Sequence, residues 1–275
     1  MSNDIHSEQR DAEAFFIGSG TEQLFAYYHR PSGPPRELGF VLCPPHGQEA
    51  VQFHRPLRLL ATLLSKQGYP ALRFDFRGCG DSAGDHDDWS VNNWTADVGL
   101  ALDALEERSG VSSLGLIGLR LGGHLALKAA ALRGNIQALV AWDAVFEGHT
   151  YLDDALAQHQ HMLRTAHVRP DMDPQCRTRK EVLGYALPGS LLGDLGAIKL
   201  SSFESLPAPH ALVVESFPNF PQDDLVEHLT SLGVEVSHER HTSPQLWEWT
   251  EDFARFHVPR KILDSIGDWV SRLKE

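Results

Sequence analysis

A mostly parallel, doubly wound α/β sheet with a helical insertion is the architecture that this 275-residue sequence predicts. Three observations carry it. Short apolar runs alternate with segments of helical periodicity through the first half of the chain, the rhythm of strand–helix–strand units. Residues 114–118 are apolar without interruption, as expected of a strand covered on both faces, and lead through a glycine-framed turn into an alanine- and leucine-rich helix. The rhythm lapses near residue 149 and returns near 208. That lapse predicts a cap, residues 149–207, inserted into a core made of residues 1–148 and 208–275, the whole forming one domain.

Taken in order, residues 14–18 and 23–29 alternate about a turn and predict an antiparallel lead-in pair. Residues 37–44 (ELGFVLCP) and 69–76 (YPALRFDF) read as strands. Between them Leu57, Leu60, Ala61 and Leu64 recur at helical spacing over 53–67, until Gly68 ends the helix. Residues 91–108 repeat the pattern, with Val98, Leu102 and Leu105 on one face. Strand 114–118, helix 121–132 and strand 136–142 follow. Beyond the cap come strand 211–215, helix 222–232, strand 234–238 and a last helix over 260–273. No internal repeat or low-complexity tract interrupts the series.

Composition narrows the functional classes. With 42% hydrophobic residues the chain can bury one large core. A formal net charge of -13 argues against nucleic acid or an anionic membrane surface as partner. The three cysteines, Cys43, Cys79 and Cys176, are odd in number and scattered, which suits a reducing compartment. The polar start and the lack of any long apolar run predict a cytoplasmic protein with no membrane insertion. Fifteen histidines raise the question of a metal, but none falls in a ligand spacing such as His-Glu-x-x-His. His159 and His161, one residue apart, would point to nearly opposite faces of a helix, and with His167 they read as exposed. Neither metal nor cofactor is expected.

The most telling position is Arg120. Gly118-x-Arg120-x-Gly122 stands between an apolar strand and a helix, the setting in which a Gly-x-Ser-x-Gly turn exposes a nucleophilic serine. Arginine remains protonated and has no lone pair with which to attack.

Other landmarks surround it: Cys43-Pro44-Pro45-His46-Gly47-Gln48-Glu49 after one strand, Arg73-Phe74-Asp75-Phe76-Arg77-Gly78-Cys79-Gly80-Asp81-Ser82 after the next, then Trp94 with Asp97, and Trp142-Asp143 leading to Gly148-His149-Thr150-Tyr151-Leu152. In this order they resemble the α/β-hydrolase superfamily, most closely its serine-aminopeptidase-like branch, which includes hydrolases associated with exosortase systems. The resemblance covers nearly the whole chain and is weakest in the cap and after Glu215. It implies an α/β-hydrolase fold with an oxyanion hole formed by the N–H groups of Leu121 and of the His46–Gln48 loop. It also implies, on resemblance alone, an accessory role beside a secretion or polysaccharide pathway.

Three roles are open for Arg120: pairing with Glu49 or Asp143, holding an anion at the helix N-terminus, or stabilising an oxyanion while water attacks. Glu49 is the candidate base on water, and Asp143, at the end of a strand, the candidate acid that orients a histidine. Glu215, Asp223 and Asp224 are the carboxylates after strand 211–215, the last two expected to open a helix. His238, His241 and His257 are the histidines near the end of the chain, and His241, just past a strand, is best placed. Cys43, Cys79, Ser82 and Ser113 lack the setting of a nucleophile, while Asp75, Arg77, Asp81 and Trp94 are expected to tie the strand–turn–helix together. The predicted site is therefore Arg120, Glu49, Asp143 and His241, with His46, Gly47, Gln48 and Leu121 lining it. Its occupant would be a small acyl, ester or anionic compound, acted on or bound without a serine nucleophile. Non-standard hydrolysis of an ester or acyl bond by activated water is the favoured reading. The alternative is an inactive homologue that binds an anionic ligand or a partner; the oligomeric state is open.

Overall fold

The computed structural model describes residues 12–166, 181–242, 246–247, 249 and 258–273. His167, Cys176 and His257 lie outside them. Eight strands form one sheet in the order β1-β2-β4-β3-β5-β6-β9-β10. β1 (Ala12–Ile17) and β2 (Leu24–His29) pair antiparallel, and β2 is antiparallel to β4 (Ala71–Phe74). From β4 onward β3 (Leu38–Cys43), β5 (Ser113–Leu119), β6 (Ile136–Trp142), β9 (His210–Glu215) and β10 (Glu235–Arg240) run parallel. The strands are joined through α1 (Gln48–Lys66), α2 (Val91–Ser109), α3 (Leu121–Arg133) and α6 (Asp223–Ser231), and α7 (Arg260–Arg272) closes the chain. β3 is buried throughout and β5 beyond its first residue, which is why their sequences do not alternate.

Register decides where chemistry can gather. Cys43 pairs with Gly118, Leu119 with Trp142, Trp142 with Val214, and Glu215 with Arg240. The residues that follow these strands, Arg120, Asp143, Ser216 and His241, therefore emerge along one edge. This is the carboxyl edge, where doubly wound sheets place ligands.

Several boundaries differ from the sequence reading: β4 keeps only Ala71–Phe74 of the 69–76 expected, and β10 runs Glu235–Arg240 in place of the expected 234–238. α1 begins at Gln48, five residues before the apolar periodicity, and carries Pro56 in its interior. Gln48, read as part of the loop, is accordingly the first residue of a helix, and Glu49 lies in its first turn, a position where the helix dipole favours a carboxylate. Between β6 and β9 the chain forms α4 (Gly148–Thr165), α5 (Gly189–Ala197) and a two-stranded ribbon, β7 (Glu181–Val182) with β8 (Tyr185–Ala186). The ribbon turns on Leu183 and Gly184, both at positive φ. No helix among the described residues is long and apolar enough to cross a membrane.

His124, in the first turn of α3, is 3% exposed and lies against the Phe203 ring. Burial, with Lys128 as the lesser cause, lowers its pKa from 6.5 to about 4. Between those values the unfolded chain binds a proton that the folded chain refuses, so stability is lost as pH falls through that window. The slope is about 1.4 kcal/mol per pH unit. Between pH 7 and pH 5 the wild type is expected to lose about 2 kcal/mol more in urea denaturation than His124→Phe. Equal losses would mean that the ring titrates normally.

Candidate functional site

The bend after β5 is built by close approach. A Cβ on Gly118 would come within 2.4 Å of the Gly122 carbonyl oxygen, and one on Gly122 within 2.4 Å of the Cys43 carbonyl oxygen. Both glycines are thus required for α3 to pack against β5 and the end of β3. Arg120 between them has φ 52, a conformation L residues seldom adopt. Its carbonyl accepts from Gly123, His124 and Val145, and its N–H donates to Trp142. This network holds the strained residue in place.

The Arg120 side chain does not reach solvent; its exposure is 0%. Its Nε donates to Glu49 Oε1 at 2.9 Å, and an Nη lies 4.0 Å from Asp154 Oδ2. Four rings surround the guanidinium, with centroids at 5.3 Å for Tyr151, 5.3 Å for Phe217, 4.4 Å for Phe220 and 5.6 Å for Trp247. All are within cation–π range. Both Nη atoms are buried without a hydrogen-bond acceptor among the described residues. Burial is the largest influence on Arg120 and opposes its charge, yet Glu49, Tyr151 and Asp143 together outweigh it and hold the pKa above its ordinary value. Glu49 in turn is pushed up by burial and pulled down by Arg120, and its Oε2 accepts from the Tyr151 hydroxyl at 3.4 Å.

Asp143 is the correction to the expected pairing. It makes no ion pair with Arg120. Positive φ (44) at this residue accompanies a carboxylate that accepts from Ser216 N at 2.8 Å, Phe217 N at 3.1 Å, the Ser216 hydroxyl and the Trp247 indole Nε1 at 2.6 Å. Four donors, three from just past β9 and one from beyond β10, outcompete a guanidinium already held by Glu49. Burial nonetheless pushes the Asp143 carboxyl up.

His241 also departs from its expected role. It follows β10 at the sheet margin, its N–H donating to the Glu215 carbonyl and its Nε2 lying 3.3 Å from Glu239. No hydrogen bond, ion pair or ring contact joins it to Arg120, Glu49 or Asp143 among the described residues. His238 lies within β10 with its Nε2 3.4 Å from Glu215, whose carboxylate also accepts from Gln222 N. Asp223 opens α6 and is held by Arg240. Gly47 (φ 63) caps α1, Gln48 is its first residue and Leu121 heads α3. His46 sits among the rings of Trp89, Trp94 and Tyr185, and burial lowers its pKa to about 4. Arg77 and Asp97 form an ion pair at 2.6 Å, and Trp94 Nε1 donates to the Arg77 carbonyl, tying the loop after β4 to α2. Burial raises the thiols, Cys79 to about 12, so neither Cys43 nor Cys79 is a thiolate near neutral pH. No group of three metal-ligating side chains occurs among the described residues.

Trp247 is the residue that sequence reasoning missed. In a serine triad a histidine from beyond the last strand donates one ring nitrogen to a buried acid and turns the other toward the bend. Here an indole from beyond β10 donates to Asp143 and packs against residue 120. Indole has no second nitrogen and accepts no proton.

Comparison with known proteins bears on the fold and family. The family model described as "Serine aminopeptidase, S33" matches residues 47–186, just over half of the chain. The chain belongs to the S33 serine aminopeptidase family, within the α/β hydrolases. Solved α/β hydrolases share its fold over most of their length. Est1E from Butyrivibrio proteoclasticus, with ferulic acid bound, is 17% identical, with a TM-score of 0.63 over 94% of this chain and 98% of that one. A thermostable carboxyl esterase from Bacillus coagulans is 12% identical, with a TM-score of 0.64 over 94% and 96%. The mouse α/β hydrolase domain-containing protein 10 is 17% identical, with a TM-score of 0.57 over 95% and 100%. A comparison with curated proteins finds no match. This S33-family chain thus keeps the hydrolase scaffold, with arginine at the bend.

Proposed function

We propose that this α/β-hydrolase-fold protein is catalytically silent at the bend and serves by binding a small acyl or anionic compound. The observation that carries the reading is the trio Arg120, Trp247 and Asp143: a cation at the position of the attacking oxygen, an indole at that of the base, and the acid retained. Nucleophilic catalysis needs a group that deprotonates and another that takes the proton, and among the described residues neither stands at the bend. The remaining route to hydrolysis, Glu49 as base on water, loses support because both its oxygens are engaged, by Arg120 and Tyr151. The space beside Glu49 is also small, about 60 Å³.

The wild type is expected to show no labelling by a fluorophosphonate probe and no turnover of p-nitrophenyl butyrate above buffer. Arg120→Ser is expected to behave the same way, since a serine without a base remains protonated. Labelling of the wild type at a serine, or strong turnover by Arg120→Ser, would overturn the reading.

A further inference from the structure

A cavity of about 690 Å³ lies away from the bend. It sits over the β2–β4–β3 end of the sheet, against the first half of α1, and its lining includes none of Arg120, Glu49 and Asp143. Tyr27, Arg73 and Leu42 are neighbours across three strands and form one row of its wall. Phe25, Phe74, Phe76 and Trp89 make most of the rest apolar.

Arg73 breaks that apolar wall. It is 9% exposed, its Nε donates to His29 Nε2 at 3.2 Å, and its guanidinium lies 5.1 Å from the Tyr27 ring centroid. No carboxylate stands within ion-pairing distance of it among the described residues. Burial lowers its pKa only to about 10, so it is charged at neutral pH, whereas His29, lowered to about 3, is neutral. Arg73 thus presents a charge to the cavity with no carboxylate among the described residues in ion-pairing range, and an anion bound there would supply its counterion. Asp75, two residues on, lines the same cavity, and its carboxylate accepts from the Asp81 N–H, so its charge opposes a second negative charge on the occupant.

We infer that this cavity binds a monocarboxylate with an apolar, aromatic or acyl body, its carboxylate forked onto Arg73 and its body against the aromatic wall. Asp75 beside the cation weakens the pull on any anion and most on a dianion, which disfavours a phosphate monoester. The inference deepens the binding role proposed above by naming a site and a ligand class, and it does not use the bend.

Isothermal titration calorimetry with biphenyl-4-carboxylate, decanoate and the uncharged 4-biphenylmethanol tests it on the full chain. Saturable binding of at least one acid is expected, at least tenfold tighter than the alcohol, or about 1.4 kcal/mol. Arg73→Met should weaken the acid at least tenfold and leave the alcohol unchanged. Val51, 49% exposed where it lines the cavity, offers a route that leaves the buried charge intact. Val51→Trp should abolish binding of both without lowering the thermal midpoint, and it decides the matter if Arg73→Met does not fold. Absence of acid binding, equal affinity for acid and alcohol, or full binding by Arg73→Met or Val51→Trp would overturn the inference. Fluorophosphonate labelling would overturn catalytic silence instead, so the two failures are distinguishable.

Discussion

Arg120→Met is expected to destabilise the fold by about 3–5 kcal/mol, because it strands Glu49 as a buried carboxylate with no cation beside it. Packing alone would predict far less. Methionine is flexible, and its sulfur is suited to the cage formed by Tyr151, Phe217, Phe220 and Trp247. The cost is therefore electrostatic, and two further measurements isolate it. Adding Glu49→Leu should recover most of the loss in urea denaturation, since replacing both members of a buried pair with apolar groups is often neutral or stabilising.

The pH dependence supplies the second measurement. Burial already pushes the Glu49 carboxyl up, and removing Arg120 removes the main opposing influence. In the variant the folded chain then holds a proton that the unfolded chain releases above its ordinary 4.5. Stability contributed by a raised carboxyl is present at low pH and lost as pH rises through the folded pKa. The defect of Arg120→Met should consequently be smaller at pH 5 than at pH 8. A loss below about 1 kcal/mol at pH 8 would mean that the pair is not buried as described.

The parts of this molecule that were legible in its sequence are those where one residue type is forced. Uninterrupted apolar runs announced β3 and β5, and Gly118 and Gly122 announced a bend that tolerates no Cβ at either position. The start of α1 was hidden because Gln48, Glu49 and Gln52 are polar and Pro56 resembles a helix's first turn, although the helix carries it nine residues in. The ribbon of two-residue strands is too short for any periodicity. Glu49 and Asp143 were indistinguishable as partners of Arg120 in one dimension. Only the register that sets Trp142 beside Val214 reveals that the Ser216 and Phe217 amides face Asp143. Trp247 left no signal, since a search for a proton acceptor beyond the last strand looks at histidines, and a lone tryptophan reads as core.

Asp143→Ala is expected to cost about 4 kcal/mol or more, and the reason distinguishes a rivet from an idle catalytic acid. The carboxylate satisfies two backbone N–H groups, the Ser216 hydroxyl and the Trp247 indole, so truncation leaves several buried donors at about 1–3 kcal/mol each. Alanine at φ 44 adds roughly 1 kcal/mol of backbone strain that aspartate and asparagine bear more easily. Asp143→Asn retains an acceptor oxygen and that tolerance, and should cost less than half as much in urea denaturation at pH 7. An acid kept only as a remnant of a triad would be linked to one ring and would be dispensable to stability. Here it joins the ends of β6 and β9 to the segment beyond β10, and through Trp247 it also positions one wall of the Arg120 cage. Asp143→Ala within about 1.5 kcal/mol of the wild type would show that those bonds are replaced by water, and Asp143 would then be free for another role.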